Sequence, residues 1–151
     1  MKAGALGLKI FKQTGMDQPK ADGSRLKITD PELAPLWDAA GRLNIPVIIH
    51  TAEPQEFFSP LDMKNERWLE LNVHPGRRRP AGEFPSFEAL MAERDRLFAR
   101  HPKTTFIAAH FAYHANDLAR LGRLLDAHPN VLTETGAILA GLGRPPPAAR
   151  A

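Results

Sequence analysis

Two apolar runs, each closing on a histidine, constrain the fold of this chain more than any other feature. They are Ile45-Pro46-Val47-Ile48-Ile49-His50 and Thr105-Phe106-Ile107-Ala108-Ala109-His110. A short run without polar alternation reads as a strand buried on both faces, the habit of parallel sheets sheathed in helices. Helical patterns lie between such runs. Thr29-Asp30-Pro31-Glu32 has capping-box spacing with proline in the first turn, and Leu33, Leu36, Trp37, Ala40 and Leu43 follow at helical spacing up to Asn44. Ser86 is a natural N-cap for a helix with Phe87, Leu90, Met91, Leu97 and Phe98 on one face, stopped by His101-Pro102. Asn116 or Asp117 opens a third helix, carrying Leu118, Leu121, Leu124 and Leu125 and closed by His128-Pro129.

Gly7-Leu8-Lys9-Ile10-Phe11 and Val131-Leu132-Thr133-Glu134-Thr135 read as two further strands. The order is therefore β, α, β, long loop, α, β, α, β, which predicts an α/β fold of parallel β/α units. Four strands fit either an open α/β sheet or half of an eight-stranded (β/α)₈ (TIM) barrel. The connection from Thr51 to Pro85 offers only helical-turn material around Met63 to Leu71, and connections of that length in compact domains tend to be functional. After Thr135, Gly136 to Leu142 suggests a short helical turn. The domain is expected over 1–143, with a proline-rich tail over 144–151.

Composition excludes several classes. The chain has 151 residues, 43% hydrophobic and 25% charged, which suits one globular domain. It has no cysteine, so disulfides and thiolate metal sites are ruled out, and any metal would need His, Asp, Glu or a modified Lys. The net charge of +3 owes much to Arg77, Arg78 and Arg79, read as a solvated loop, and no basic-and-aromatic pattern points to nucleic acid. No stretch approaches a membrane span, and Lys9 and Lys12 interrupt any signal-like segment near Met1. The expected setting is a cytoplasmic protein with a small-molecule substrate, no nucleic acid and no membrane; assembly with identical copies stays open. Gly-x-Ser-x-Gly, P-loop and Gly-x-Gly-x-x-Gly motifs are missing.

In parallel α/β proteins the site lies at the carboxyl ends of the strands, where His50 and His110 stand. Imidazole ligates metals when neutral and carries protons near pH 7. Glu53, three residues past His50, suits either a steadying or substrate contact or a loop surface. His114 is a candidate for lining the pocket, Glu134 for facing the interior or bonding a neighbour, and His74 for the loop surface. His101 and His128 complement helix C-termini and read as structural.

Pro46-Val47-Ile48-Ile49-His50-Thr51 and Phe106-Ile107-Ala108-Ala109-His110-Phe111 resemble the fifth and sixth barrel strands of the amidohydrolase superfamily. The closer likeness is to its aminocarboxymuconate semialdehyde decarboxylase-like branch, with Gly4 to Ile10 resembling the fourth strand and Asn130 to Thr135 the seventh. The resemblance covers roughly Gly4 to Leu142. It implies a metal-dependent hydrolase in which His50 ligates a divalent metal, usually zinc, and His110 is the catalytic acid/base or a second ligand. Metal-activated water would attack an amide, ester or lactone. The same scaffold also supports decarboxylation or hydration. Binuclear relatives carry a carboxylated lysine on the fourth strand, where Lys9 stands, although Lys9 equally suits solvent. The sequence departs from the family at the His-x-His of the first strand and the aspartate of the eighth, neither of which it contains. A catalytic zinc takes three protein ligands, so the chain alone is expected to be a fragment that binds metal weakly and is inactive. The reading from another class is a degenerate, non-catalytic barrel segment that pairs with another chain.

Overall fold

The computed structural model describes residues 4–139. Four parallel strands, β1 (Leu8–Ile10), β2 (Val47–Ile49), β3 (Phe106–Ala108) and β4 (Val131–Thr133), form one sheet in the order β1-β2-β3-β4. The helices are a broken turn α1 (Gln13–Met16), then α2 (Ala34–Arg42), α3 (Trp68–Val73), α4 (Phe87–Arg100) and α5 (Leu118–Ala127). The alternation expected of β/α units is observed, with each strand beside its neighbour in sequence. The proline-rich tail at 144–151 and the last part of the turn expected over Gly136 to Leu142 lie outside the described residues; Gly136 to Leu139 form a turn.

Strand residues alternate between faces, so register sorts the sheet into two surfaces. Ile10, Val47, Ile49, Phe106, Ala108 and Val131 are buried against Trp37, Ala40, Leu97, Phe98, Leu121 and Leu124 of α2, α4 and α5. Lys9, Ile48, Ile107 and Leu132 stand in one row on the other face. There Ile48 is 36% and Leu132 55% exposed. The expectation of strands buried on both faces is corrected to burial on one. The helices pack on one side, and nothing among the described residues closes the other.

Local chemistry explains most element boundaries. Ser86 caps α4, its Oγ accepting from the Ala89 N–H at 3.1 Å, and Asp117, not Asn116, caps α5 by accepting from the Arg120 N–H at 2.9 Å. The Thr29–Glu32 capping box does not form. Asp30 holds the N-cap position, and its carboxylate turns back to the Lys27 N–H at 3.0 Å, so the segment starts as a 3₁₀ turn, Pro31–Leu33, before α2. Asn44 ends α2 with φ 51°. At the opposite end of the sheet from the histidines, the Asn130 amide donates to the carbonyls of Phe98, His101 and Thr104 at 3.1–3.3 Å. His101 pairs with Asp38 at 2.9 Å and His128 packs edge-on to Phe98, both structural positions.

The long connection carries two 3₁₀ turns, Gln55–Phe58 and Pro75–Arg77, with α3 between them. The helical turn expected around Met63 to Leu71 thus falls a few residues later, over Trp68–Val73. The arginine run divides. Arg77 and Arg78 are exposed, whereas Arg79 turns inward, paired with Glu53 at 3.1 Å and 5.0 Å above the Phe84 ring, because the buried Glu53 carboxylate draws it in.

Candidate active site

His50 directly follows β2 on the open face, two residues beyond Ile48, and its N–H is tied to the Ile10 carbonyl at 3.1 Å. His110 follows β3 by two residues, after Ala109 has bonded the Ile49 carbonyl at 3.0 Å. There the chain enters a left-handed turn: His110, Phe111, Ala112 and Tyr113 have φ of 60°, 53°, 52° and 60°, and none is glycine. The turn brings the His110 ring edge-on to His50, with centroids 4.7 Å apart and planes at 85°. Phe11, beyond β1, closes on the His50 ring at 5.5 Å.

Each ring has defined hydrogen-bond partners. The Tyr113 hydroxyl lies 2.6 Å from His50 Nε2. His110 Nδ1 lies 2.6 Å from the Gly136 carbonyl, which can only accept. Nδ1 therefore carries the proton of the neutral ring, leaving the lone pair on Nε2. Glu134 anchors this side. One carboxylate oxygen accepts from the His110 N–H at 2.7 Å, the other from the Gly136 N–H, and its backbone carbonyl accepts from the Phe111 N–H at 2.9 Å.

The electrostatics keep the site neutral at its centre. Burial, then the nearby charges of His110, Lys12 and Lys9, push the His50 pKa down to about 4, against a backbone hydrogen bond at Ala52 that works the other way. Burial, with the Glu53 and Glu134 carboxylates, raises the Tyr113 phenol far above its usual range. A phenol that keeps its proton beside a neutral imidazole makes the hydroxyl the donor and His50 Nε2 the acceptor. Burial works to raise the Glu134 pKa, but the N–H groups of His110 and Gly136 outweigh it and hold the carboxyl below its ordinary value.

The structure brings together His50, His110, Tyr113 and Glu134. Glu53 sits apart in the loop after His50, 6% exposed and held between Lys12 and Arg79; it reaches the site through its charge on Tyr113. His114 is 2% exposed, its Nε2 3.3 Å from Arg94 Nη2 of α4. It emerges from the left-handed turn directed back at the helix layer, and burial with the Arg94 and Arg120 charges pushes its pKa down to about 4. Lys9 is exposed on the open face, and His74 is exposed at the C-terminus of α3.

A family model described as Amidohydrolase matches residues 1–151. The chain belongs to the amidohydrolase family. No curated protein and no solved structure matches it. Amidohydrolases characteristically use divalent metals, but the donors among the described residues do not by themselves make a site for such an ion. Among the described residues no three His, Cys, Asp or Glu side chains converge as a metal-holding group. The His50 Nε2 lone pair already takes the Tyr113 hydroxyl, and Glu134 is occupied by backbone N–H groups.

Of the residues gathered at this candidate site, Tyr113 was missed by sequence reasoning. Its spacing, three residues past His110, gives no signal, because a left-handed turn without glycine or asparagine is not announced by residue type. Glu134 carried a partial signal in lying two residues past Leu132, hence on the open face.

Proposed function

We propose that this amidohydrolase-family chain serves a metal-dependent hydrolase acting on an amide, ester or lactone, and that it supplies only part of the active site. The single observation that carries the reading is the edge-on pair of imidazoles, 4.7 Å apart, beyond adjacent parallel strands. Within it His110 is the group that moves a proton. Its Nδ1–H is spent on Gly136, so Nε2 is the atom that takes a proton from the attacking water and returns one to the leaving group. His50, neutral above about pH 4, accepts at Nε2 and brings no charge to the site. Tyr113 donates to it, and Glu134 sets the orientation of His110.

The groups that would hold the metal would come from strands outside this set, completing a (β/α)₈ barrel over the open face. Support lies in the parallel β1-β2-β3-β4 order and in the open-face row of Lys9, Ile48, Ile107 and Leu132, of which Lys9, Ile48 and Leu132 are exposed and which such strands would cover. Two measurements test this. Calorimetric titration of the isolated chain with zinc is expected to show no tight stoichiometric binding, and a panel of activated esters, amides and lactones no turnover; tight binding would overturn the partial-site reading. In a polypeptide carrying the completing strands, His110→Asn is expected to lower kcat by about 10²- to 10⁴-fold with KM little changed. Full activity of that variant would remove His110 from the mechanism.

A further inference from the structure

Four consecutive non-glycine residues in the left-handed region crowd each Cβ against the following carbonyl, and such a run persists only where its surroundings over-determine it. On the open side those surroundings are the site itself: Glu134 on the His110 and Phe111 N–H groups, and His50 on the Tyr113 hydroxyl. From the helix side, beyond apolar packing, a side chain hydrogen-bonds the middle of the turn. Arg94 of α4 is fully buried, and its Nη1 donates to the Ala112 carbonyl at 2.6 Å. Its other donors are fixed too. Nε and Nη2 meet Asp95 Oδ1 at 3.0 and 2.9 Å, and Nη2 lies 3.3 Å from His114 Nε2, the residue that leaves the turn. The guanidinium thus bridges α4 to the turn's interior carbonyl and to its exit. A planar fork makes these contacts at once, which a lysine ammonium on a flexible stem cannot.

We propose that Arg94 is a positioning residue for the two-imidazole site: by pinning the Ala112 carbonyl it holds the left-handed turn that aims His110 and Tyr113 at His50. The inference rests on the reading of His50 and His110 as the site. It adds a residue from the helix layer that acts only through the turn and touches no reacting atom.

The test is nuclear magnetic resonance of the chain with ¹⁵N-labelled histidine, read at His50 Nε2, beside urea unfolding of each variant. Tyr113→Phe supplies the His50 signal without the hydroxyl bond. Arg94→Met is expected to move the His50 Nε2 resonance toward that reference. Ala112→Gly in the same background removes the Cβ penalty at the pinned residue and is expected to move it back. Arg94→Lys should fall between wild type and Arg94→Met. Two results overturn the proposal: a folded Arg94→Met chain with an unmoved His50 signal, or a double variant that regains its urea midpoint without regaining the signal. If Arg94→Met does not fold, Arg94→Lys with and without Ala112→Gly is judged by the same two criteria. No turnover is needed, so failure of this proposal is separate from failure of the hydrolase reading.

Discussion

His50 and His114 share a chemistry although only one faces the site. Burial first, then neighbouring positive charge, brings each imidazole from 6.5 to about 4. The unfolded chain takes up protons at both positions as pH falls below about 6.5, whereas the folded chain resists until about pH 4. Acid therefore favours unfolding: the contribution is fully present above about pH 6.5 and is lost as pH falls toward 4. Urea midpoints measured across that range should decline with acidity. His114→Asn, which keeps an acceptor for Arg94, should flatten the decline by about half if the two shifts are equal. An unchanged slope would show that His114 is protonated in the folded chain.

Element-scale stability divides between ordinary caps and one costly turn. Ser86 caps the fourteen-residue α4 through the Ala89 N–H, so Ser86→Ala is expected to cost about 1 kcal/mol in chemical denaturation. The left-handed turn behaves oppositely. A left-handed residue with a Cβ costs roughly 1–2 kcal/mol, while one buried methyl contributes about 0.8 kcal/mol. Ala112→Gly should therefore leave stability unchanged or slightly raised, although Ala112 is 2% exposed. Ala40→Gly, inside α2 and equally enclosed, should cost about 1 kcal/mol or more. Loss of stability in Ala112→Gly equal to that in Ala40→Gly would mean that the turn is not strained.

At the scale of the whole molecule, the sheet has one face packed by α2, α4 and α5 and one open. Ile48 and Leu132 on that face, with Phe11 at its upper edge, form an apolar surface around the imidazole pair. The isolated chain is expected to bind an apolar fluorescent dye such as ANS. Ile48→Thr with Leu132→Thr should reduce that fluorescence and change the urea midpoint far less than Phe98→Ala, which opens the packed side and should cost about 3–5 kcal/mol. Equal destabilisation by the two would show that the open face is covered in solution. Sedimentation across a concentration series would then tell whether a second copy covers it.

Periodicity and end signals made the elements legible: the strand runs, the apolar faces of α2, α4 and α5, the Ser86 cap and the stop at Asn44 all follow from local steric and hydrogen-bonding preferences. The same local logic placed His50 and His110 at one end of the sheet, since parallel order is written in residue spacing; parity alone would put His110 on the packed face with Phe106 and Ala108. Tertiary structure alone decided the rest. Burial of Ile48 depends on what stands across from it, which no residue near Ile48 encodes. Glu53 drew Arg79 out of a run that reads as solvated. A turn whose residues disfavour it was imposed by Arg94, Glu134 and His50, from three separate elements, and with it came the contact of Tyr113 with His50 and the withdrawal of His114 into the helix layer. Local preferences are additive along the chain and can be read there; a strained conformation is chosen only when distant groups meet around it.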